Sequence, residues 1–431
     1  MALTGRLVAL AALGCVVVLV HPAVTTVLWW ALALGILVVV DLASAPATHT
    51  LALHRQPVTQ VRMGDSTESV LFIVNSGSRT FRGAVRDTWQ PSAGASGGPL
   101  AAHLPPGERT RLVQQLTPTR RGDRLAVSVT LRSRGILGLA LRQRSVVVPG
   151  AVRCLPAFDS RRHLPSRLAR LRQLDGRSAV RTRGQGTEFD SLRDYVDGDD
   201  VRSIDWRATA RRRDPVVRTW QPERDRRLVL LLDTSRTSAG RIFDMPRLDS
   251  GLDAALLLSA LAAHAGDRVT FLAGARRVST RVDGMSDRAA LLQALVTAMA
   301  PLEPALVEAN WRALLSGVTA TVRQRALVVL ITPLEPAAIE EGLLPLLPSF
   351  AGRHRVVIAS VADPSVREMT TRRDDAQQVY AAAAAERTIS LRVRTKVGLE
   401  RAGVTVLDEP PDVLPVALAD HYLMLKRQGL L

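Results

Sequence analysis

Lysine, cysteine and aromatic residues are all scarce in this chain, and each scarcity closes off a class of function. Lys396 and Lys426 are the only lysines among 431 residues. Neither follows a glycine-rich run, so the chain has no phosphate-binding loop of the Walker type. Cys15 and Cys154 are the only cysteines. One lies in an apolar run and the other at an apparent domain junction, which excludes a disulfide framework and is compatible with a reducing compartment. The 8 histidines are scattered, with no pair at metal-ligand spacing, so a zinc site is not expected. Aromatic residues make up 4% of the chain, which leaves few platforms for stacking bases. No nucleic-acid recognition motif is visible either, so the expectation is no nucleic-acid partner. The net charge of +17 is almost all arginine and is spread along the whole chain. It suits contact with anionic lipid or an acidic partner. No Gly-x-Ser-x-Gly elbow or His–Cys pairing supplies a nucleophile, so the expectation is a binding protein and not an enzyme.

What is present begins with two apolar runs, residues 7–20 and 23–40, separated by His21-Pro22. Each approaches the roughly 20 residues that a helix needs to cross a bilayer, and neither shows a polar face. Trp29 and Trp30 lie about one turn inside the second run, a depth suited to an interface. A cleavable secretory signal is the rival reading, with Arg6 as its basic start and cleavage near Ala43-Ser44-Ala45. Two runs are more than such a signal needs. The expectation is an uncleaved hairpin of two transmembrane helices over residues 1–43, embedded in the lipid of the cell membrane. Both ends of the chain then fall on one side. Arg6 precedes the first run, Arg55 and Arg62 follow the second, and the connection carries no Lys or Arg. That asymmetry places the soluble parts in the cytoplasm.

Residues 48–153 change character. Short strand-length runs at 69–74, 111–116, 125–131 and 143–148 are separated by turn chemistry such as Asn75-Ser76-Gly77 and Pro105-Pro106-Gly107. The pattern predicts a β-sandwich-like domain, a spacer or protein-binding module. Residues 154–226 read as a linker, and 227–431 as a further domain. In that last stretch apolar strands at 228–232, 268–273, 326–331, 356–361 and 404–407 alternate with helical segments at 248–265, 288–299, 305–322, 336–347, 377–400 and 413–427, with a shorter strand at 278–282. Such alternation predicts a doubly wound α/β fold with a mostly parallel sheet. Ligands of such sheets sit at the carboxyl ends of strands, where Asp233 falls.

Within the linker lies the densest chemistry of the chain, residues 186–206, GTEFDSLRDYVDGDDVRSIDW. Carboxylates at Glu188, Asp190, Asp194, Asp197, Asp199, Asp200 and Asp205 alternate with Arg193, Arg202 and Arg207. Arginine and carboxylate pair through two parallel hydrogen bonds, so the segment can lock into a fixed shape. Phe189, Leu192, Tyr195, Ile204 and Trp206 are expected to form its apolar underside. Acid–base catalysis by paired carboxylates is the rival, as in a hydrolase. The arginines weigh against it, because they hold carboxylates ionised and remove the proton-carrying acid.

The motif G-x-E-F-x-x-L-R-x-Y-x-x-G-D-D-x-R-x-I-D-W resembles that of domain-of-unknown-function family 58, membrane-anchored proteins with a von Willebrand factor A-like domain. Its residues here are Gly186, Glu188, Phe189, Leu192, Arg193, Tyr195, Gly198, Asp199, Asp200, Arg202, Asp205 and Trp206. The resemblance implies a von Willebrand A-like α/β domain behind a β-sandwich-like domain and a transmembrane hairpin. It also implies a metal-ion-dependent site, in which an Asp-x-Ser-x-Ser loop, a Thr from a second loop and a later Asp hold Mg²⁺. Asp233, Ser235 and Thr237 supply the first loop. After the strand at 326–331 the later Asp is missing, with Glu335 as its substitute, and Thr280 and Ser286 are the candidates for the second loop. Two readings of this degenerate site stay open, an occupied Mg²⁺ site and a metal-free relic. Family members are commonly encoded beside a MoxR-type AAA+ ATPase. The resemblance therefore implies a non-enzymatic adaptor that works with that ATPase, and with other membrane proteins of the same assembly, in protein-complex assembly or maturation at the cell envelope. The alternative is an extracytoplasmic, metal-dependent adhesion receptor.

Overall fold

The apolar opening of the chain folds as two helices, α1 (Gly5–Val20) and α2 (Val24–Ser44). Pro22 separates them, because the residue before a proline is driven out of the helical region. In this computed structural model, which describes residues 2–58, 60–181, 188–212, 214–221, 226–284 and 287–431, one helix is long and apolar enough to cross a membrane, and it begins at Val24. At 16 residues α1 falls short of the roughly 20 required, where two spanning helices were expected. The chain divides into two compact units, Met1–Pro156 and Ala157–Leu431.

The first unit adds ten strands to these helices. They are β1 (Ala2–Leu3), β2 (Leu51–Arg55), β3 (Val61–Arg62), β4 (Thr67–Asn75), β5 (Phe81–Trp89), β6 (Leu100–Leu104), β7 (Arg109–Leu116), β8 (Gly122–Arg134), β9 (Ala140–Val146) and β10 (Ala151–Leu155). β2, β4 and β7 make one antiparallel sheet, and β8 anchors the other by pairing with β5, β9 and β10. Alternation sets the inward face: Ser69, Leu71, Ile73 and Asn75 of β4 are buried, one residue in two. Leu71 and Ile73 share a core with Phe81, Val85, Val129 and Leu131 of the second sheet. One ion pair is sealed inside this unit. Arg55 forms a fork on Asp87 at 2.6 and 2.7 Å, and both side chains are buried. The Ser69 hydroxyl and the Trp89 indole N–H complete it.

The second unit opens with α3 (Leu164–Arg181), then an antiparallel ribbon of β11 (Glu188–Asp194) and β12 (Val216–Gln221) that encloses α4 (Trp206–Arg212). The described residues of the stretch read as a linker thus include two helices and two strands. Arg167 of α3 pairs with Asp420 at 3.1 Å, and Leu171 is buried. There follow β13 (Arg227–Asp233), a small hairpin of β14 (Arg241–Ile242) and β15 (Met245–Pro246), α5 (Arg247–His264), β16 (Arg268–Gly274), β17 (Val278–Val282), α6 (Arg288–Met299), α7 (Trp311–Thr321), β18 (Leu327–Ile331), α8 (Leu347–Ala351), β19 (Arg355–Val361), α9 (Pro364–Met369), α10 (Ala376–Arg401), β20 (Thr405–Glu409) and α11 (Leu414–Arg427). The sheet order is β17-β16-β13-β18-β19-β20. All neighbours are parallel except the edge strand β17.

The strands are apolar on both faces because helices cover both. Val229, Leu231, Val328, Leu330 and Ile358 share a core with Trp311 and Leu314 of α7 and Leu399 of α10. α5 and α11 lie against the sheet and against each other. α5 comes so close that a Cβ on Gly251 would stand 2.9 Å from the Ile331 side chain.

Two helical expectations change. Residues 305–310 are a loop and not the first turns of α7, because the Asn310 side chain accepts from the Ala313 N–H and caps the helix there. The helix expected at 336–347 is a π-helical turn followed by a 3₁₀ turn that leads into α8. Pro345 and Pro348 remove backbone donors from that stretch.

Candidate functional site

In chain order β13 is followed by β16 on one side and by β18 on the other. Strand order therefore reverses between β13 and β18, and open α/β sheets bind ligands in the crevice at such a switch point. Asp233 ends β13, and Thr332 directly follows β18. The Thr332 hydroxyl donates to Asp233 Oδ2 at 2.8 Å. Asp233 Oδ1 accepts from the Ser235 N–H at 2.8 Å. The Thr237 hydroxyl stands 3.4 Å from Oδ2 and 3.0 Å from the Ser235 hydroxyl. Ser238 donates to the Asp233 backbone carbonyl at 2.7 Å. Asp233 is 1% exposed. Burial pushes its carboxyl above the usual carboxylate range, and the Ser235 N–H and the Thr332 hydroxyl oppose that shift.

Asp233, Ser235 and Thr237 thus come together, while Glu335 goes elsewhere. Its carboxylate receives Arg247 at 2.9 Å. Thr332 is a site residue that the sequence does not single out, since the metal-site pattern has an acidic side chain after this strand. Thr280 lies on the edge strand opposite Ala273, and Ser286 lies outside the described residues. The loop that meets the Asp233 loop runs over 303–309. The Ala305 N–H donates to the Thr234 carbonyl, and the Arg236 N–H to the Val307 carbonyl. That loop carries no Ser or Thr.

A Mg²⁺ ion requires hard oxygen donors in an octahedron, with carboxylate among them to offset its charge. Three hydroxyls surround Asp233, but the site holds a single carboxylate whose oxygens already accept bonds from the chain. Among the described residues, no three of His, Cys, Asp and Glu are grouped to hold a metal. The donor set does not fit Mg²⁺.

The signature segment is built as a clamp. Arg193 of β11 donates to Asp199 through both terminal nitrogens, one bond being 2.7 Å. Arg193 holds the Asp199 carboxyl below the usual range, with help from the Val196 N–H. Gly198 has φ +104, which a Cβ would strain. Asp200 caps the turn at 201–203 by accepting from the Arg202 N–H at 3.0 Å. Asp205 accepts from the Arg207 and Ala208 N–H groups, each at 3.0 Å, and pairs with Arg218 of β12 at 2.8 Å. The Ala208 N–H and Arg218 lower its pKa. Leu192 and Tyr195 are half-buried, and Ile204 bridges to Val217. Trp206 departs from the expected underside. It is 68% exposed, and Val196 and Val201 are exposed too, whereas Val216 and Val217 of β12 are buried. Glu188 and Phe189 lie on β11, and Gly186 lies outside the described residues.

A groove of about 800 Å³ opens beside the carboxyl ends of β19 and β20. Its walls include Phe243, Met245, Val413, Asp159, Asp253 and Asp412. Asp253 accepts from the Ser160 hydroxyl at 2.8 Å, and burial raises its pKa. Phe243 is 71% exposed, with a backbone φ of +54. A bulky residue held there costs about 1–3 kcal/mol, a strain that clusters at binding sites.

Residues 191–395, from the ribbon into α10, match the family described as "Protein of unknown function DUF58". This region belongs to the DUF58 family. No curated protein matches it. Among solved structures it is similar to the conserved hypothetical protein BatB from Bacteroides thetaiotaomicron, at 15% identity over 47% of this chain and 99% of that one, with a TM-score of 0.32. It is also similar to an aerotolerance-related membrane protein from Bacteroides fragilis, at 13% identity over 46% of this chain and 98% of that one, with a TM-score of 0.29. The DUF58 match includes both the clamp and the Asp233 loop.

Proposed function

We propose that this DUF58 protein is a membrane-held, non-enzymatic adaptor whose α/β unit, von Willebrand A-like in its strand order, engages a protein partner at the carboxyl edge of the sheet. In this reading a MoxR-type AAA+ ATPase is the partner. α1 and α2 form the hairpin in the cell membrane, and the soluble units face the cytoplasm. The observation that carries the reading is the groove beside the carboxyl ends of β19 and β20. It combines exposed apolar side chains, Phe243 and Val413, with the carboxylates of Asp159 and Asp412. A segment that carries Arg or Lys next to an apolar residue fits that chemistry. The hydroxyl-ringed Asp233 offers no nucleophile–base pair, which supports binding over turnover.

The test is a pull-down from detergent-solubilised membranes with tagged full-length protein, in Mg²⁺–ATP and in EDTA, for the wild type and Phe243→Ala. Recovery of a AAA+ ATPase by the wild type, reduced several-fold by Phe243→Ala, is the expected result. Recovery of no ATPase under either condition overturns the proposed partner.

A further inference from the structure

The last turn of α2 is tied to the β8–β9 connection through one carboxylate. Asp41 is 0% exposed and accepts four consecutive backbone N–H groups. Leu137 and Gly138 donate to Oδ1 at 2.8 and 3.0 Å, and Leu139 and Ala140 to Oδ2 at 2.6 and 2.9 Å. Ser44 fixes the connection one residue earlier by accepting from the Ile136 N–H at 3.1 Å. Gly135 lets it come this close, since a Cβ there would collide with the Asp41 backbone oxygen. The start of α1 reaches the same turn. Thr4 donates its hydroxyl to the Gly138 and Leu139 carbonyls at 2.8 and 3.0 Å, and β1 pairs with β9. The N-terminal end of α1 and the C-terminal end of α2 are therefore held at one rigid turn.

Leu139 of that turn is buried, but the two apolar side chains at its tip are not. Ile136 is 88% exposed and Leu137 41%, with their N–H groups held by the Ser44 hydroxyl and the Asp41 carboxylate. Guanidinium groups stand around the same place. Arg79 donates to the Ala43 carbonyl and Arg142 to the Leu42 carbonyl, at 3.2 and 3.0 Å, and Arg6 donates to the Leu137 carbonyl at 3.3 Å. Arginines at a helix carboxyl end satisfy its last carbonyls and suit its dipole. At a bilayer surface they also sit at headgroup depth.

We infer that the β8–β9 turn is a membrane foot: Ile136 and Leu137 rest in the boundary between headgroups and acyl chains of the bilayer that α2 enters, with the arginines among the headgroups above them. The occupant is the bilayer because the exposed apolar turn is continuous with the exposed apolar helix that ends on it. The inference rests on the proposed membrane hairpin. It adds that the first unit is seated on the lipid surface by its own side chains and is not merely tethered to it.

The test uses full-length protein in phosphatidylcholine nanodiscs with Cys15→Ser and a single new cysteine, from either Ile136→Cys or Ile36→Cys, carrying an environment-sensitive fluorophore. Cys154 stays unlabelled, because it is buried and its thiol is pushed up to about 11. Lipids with a quencher near the headgroup are compared with lipids quenched deep in the acyl region. The expected result is quenching at both positions, at least twofold stronger from the shallow quencher at 136 and from the deep quencher at 36. Quenching at 36 with none at 136 overturns the foot and leaves the hairpin standing. Quenching at neither position overturns the hairpin, and the foot with it.

Discussion

Thr332 donates its hydroxyl proton to Asp233 across the point where the strand order of the parallel sheet reverses. The bond joins the ends of β13 and β18, and it sets what the Asp233 loop can do. A second carboxylate at position 332 would repel Asp233 unless a cation lay between them. A hydroxyl satisfies Asp233 with no ion present.

Thr332→Val keeps the shape and removes the donor, leaving a buried carboxylate one bond short. The expected cost is about 1–3 kcal/mol in urea unfolding. Asp233→Asn should cost less, because the Thr332 and Thr237 hydroxyls facing Oδ2 can rotate to accept from the new amide. A larger loss for Asp233→Asn than for Thr332→Val would show that the charge itself holds the loop.

The same carboxylate makes a signed contribution to pH dependence. Burial raises its pKa in the folded state, so the folded chain binds this proton more tightly than the unfolded chain does. Its contribution to stability is then fully present below the unfolded value of about 4 and is lost as pH rises through the higher folded value. Subtracting the pH–stability curve of Asp233→Asn from that of the wild type isolates this component. The difference should fall with rising pH. A difference that rises would mean the hydroxyls and the Ser235 N–H outweigh burial and depress the pKa.

The donor set predicts indifference to Mg²⁺. A site filled at 100 times its dissociation constant would add about 2.7 kcal/mol of stability, a shift easily seen in thermal melts. Wild-type protein should melt at the same temperature in Mg²⁺ and in EDTA. Thr332→Asp restores a second carboxylate at the strand end and should melt higher in Mg²⁺. Mg²⁺ stabilisation of the wild type would overturn the charge argument.

The α/β unit was legible in the sequence because its strands are apolar on both faces and therefore read as unbroken runs, bounded by helices of matching length. The break at Asn310 was not legible, since an Asn three residues before an alanine is a weak cap signal inside an alanine-rich stretch. In the site, the Asp233, Ser235 and Thr237 spacing is local and could be read, whereas Thr332 arrives from another strand and looks ordinary in sequence. Arg55–Asp87 was invisible for the same reason, its partners being 32 residues apart. That pair carries its own expectation. Asp87→Ala strands a buried guanidinium and should cost about 3–5 kcal/mol.

Trp206 separates the two remaining roles of the signature segment. The ion pairs of Arg193 with Asp199 and of Arg218 with Asp205 hold the ribbon, yet the largest apolar side chain of the motif is 68% exposed. A residue that only held the fold would be costly to remove, whereas an exposed anchor for a partner would not. Trp206→Ala should therefore leave the urea midpoint within about 0.5 kcal/mol of the wild type and reduce recovery of the proposed ATPase partner several-fold, as expected for an aromatic hot spot. A large loss of stability would place Trp206 in the fold of the ribbon. Unchanged recovery at unchanged stability would move the contact surface away from the ribbon and leave the groove at Phe243 to carry binding.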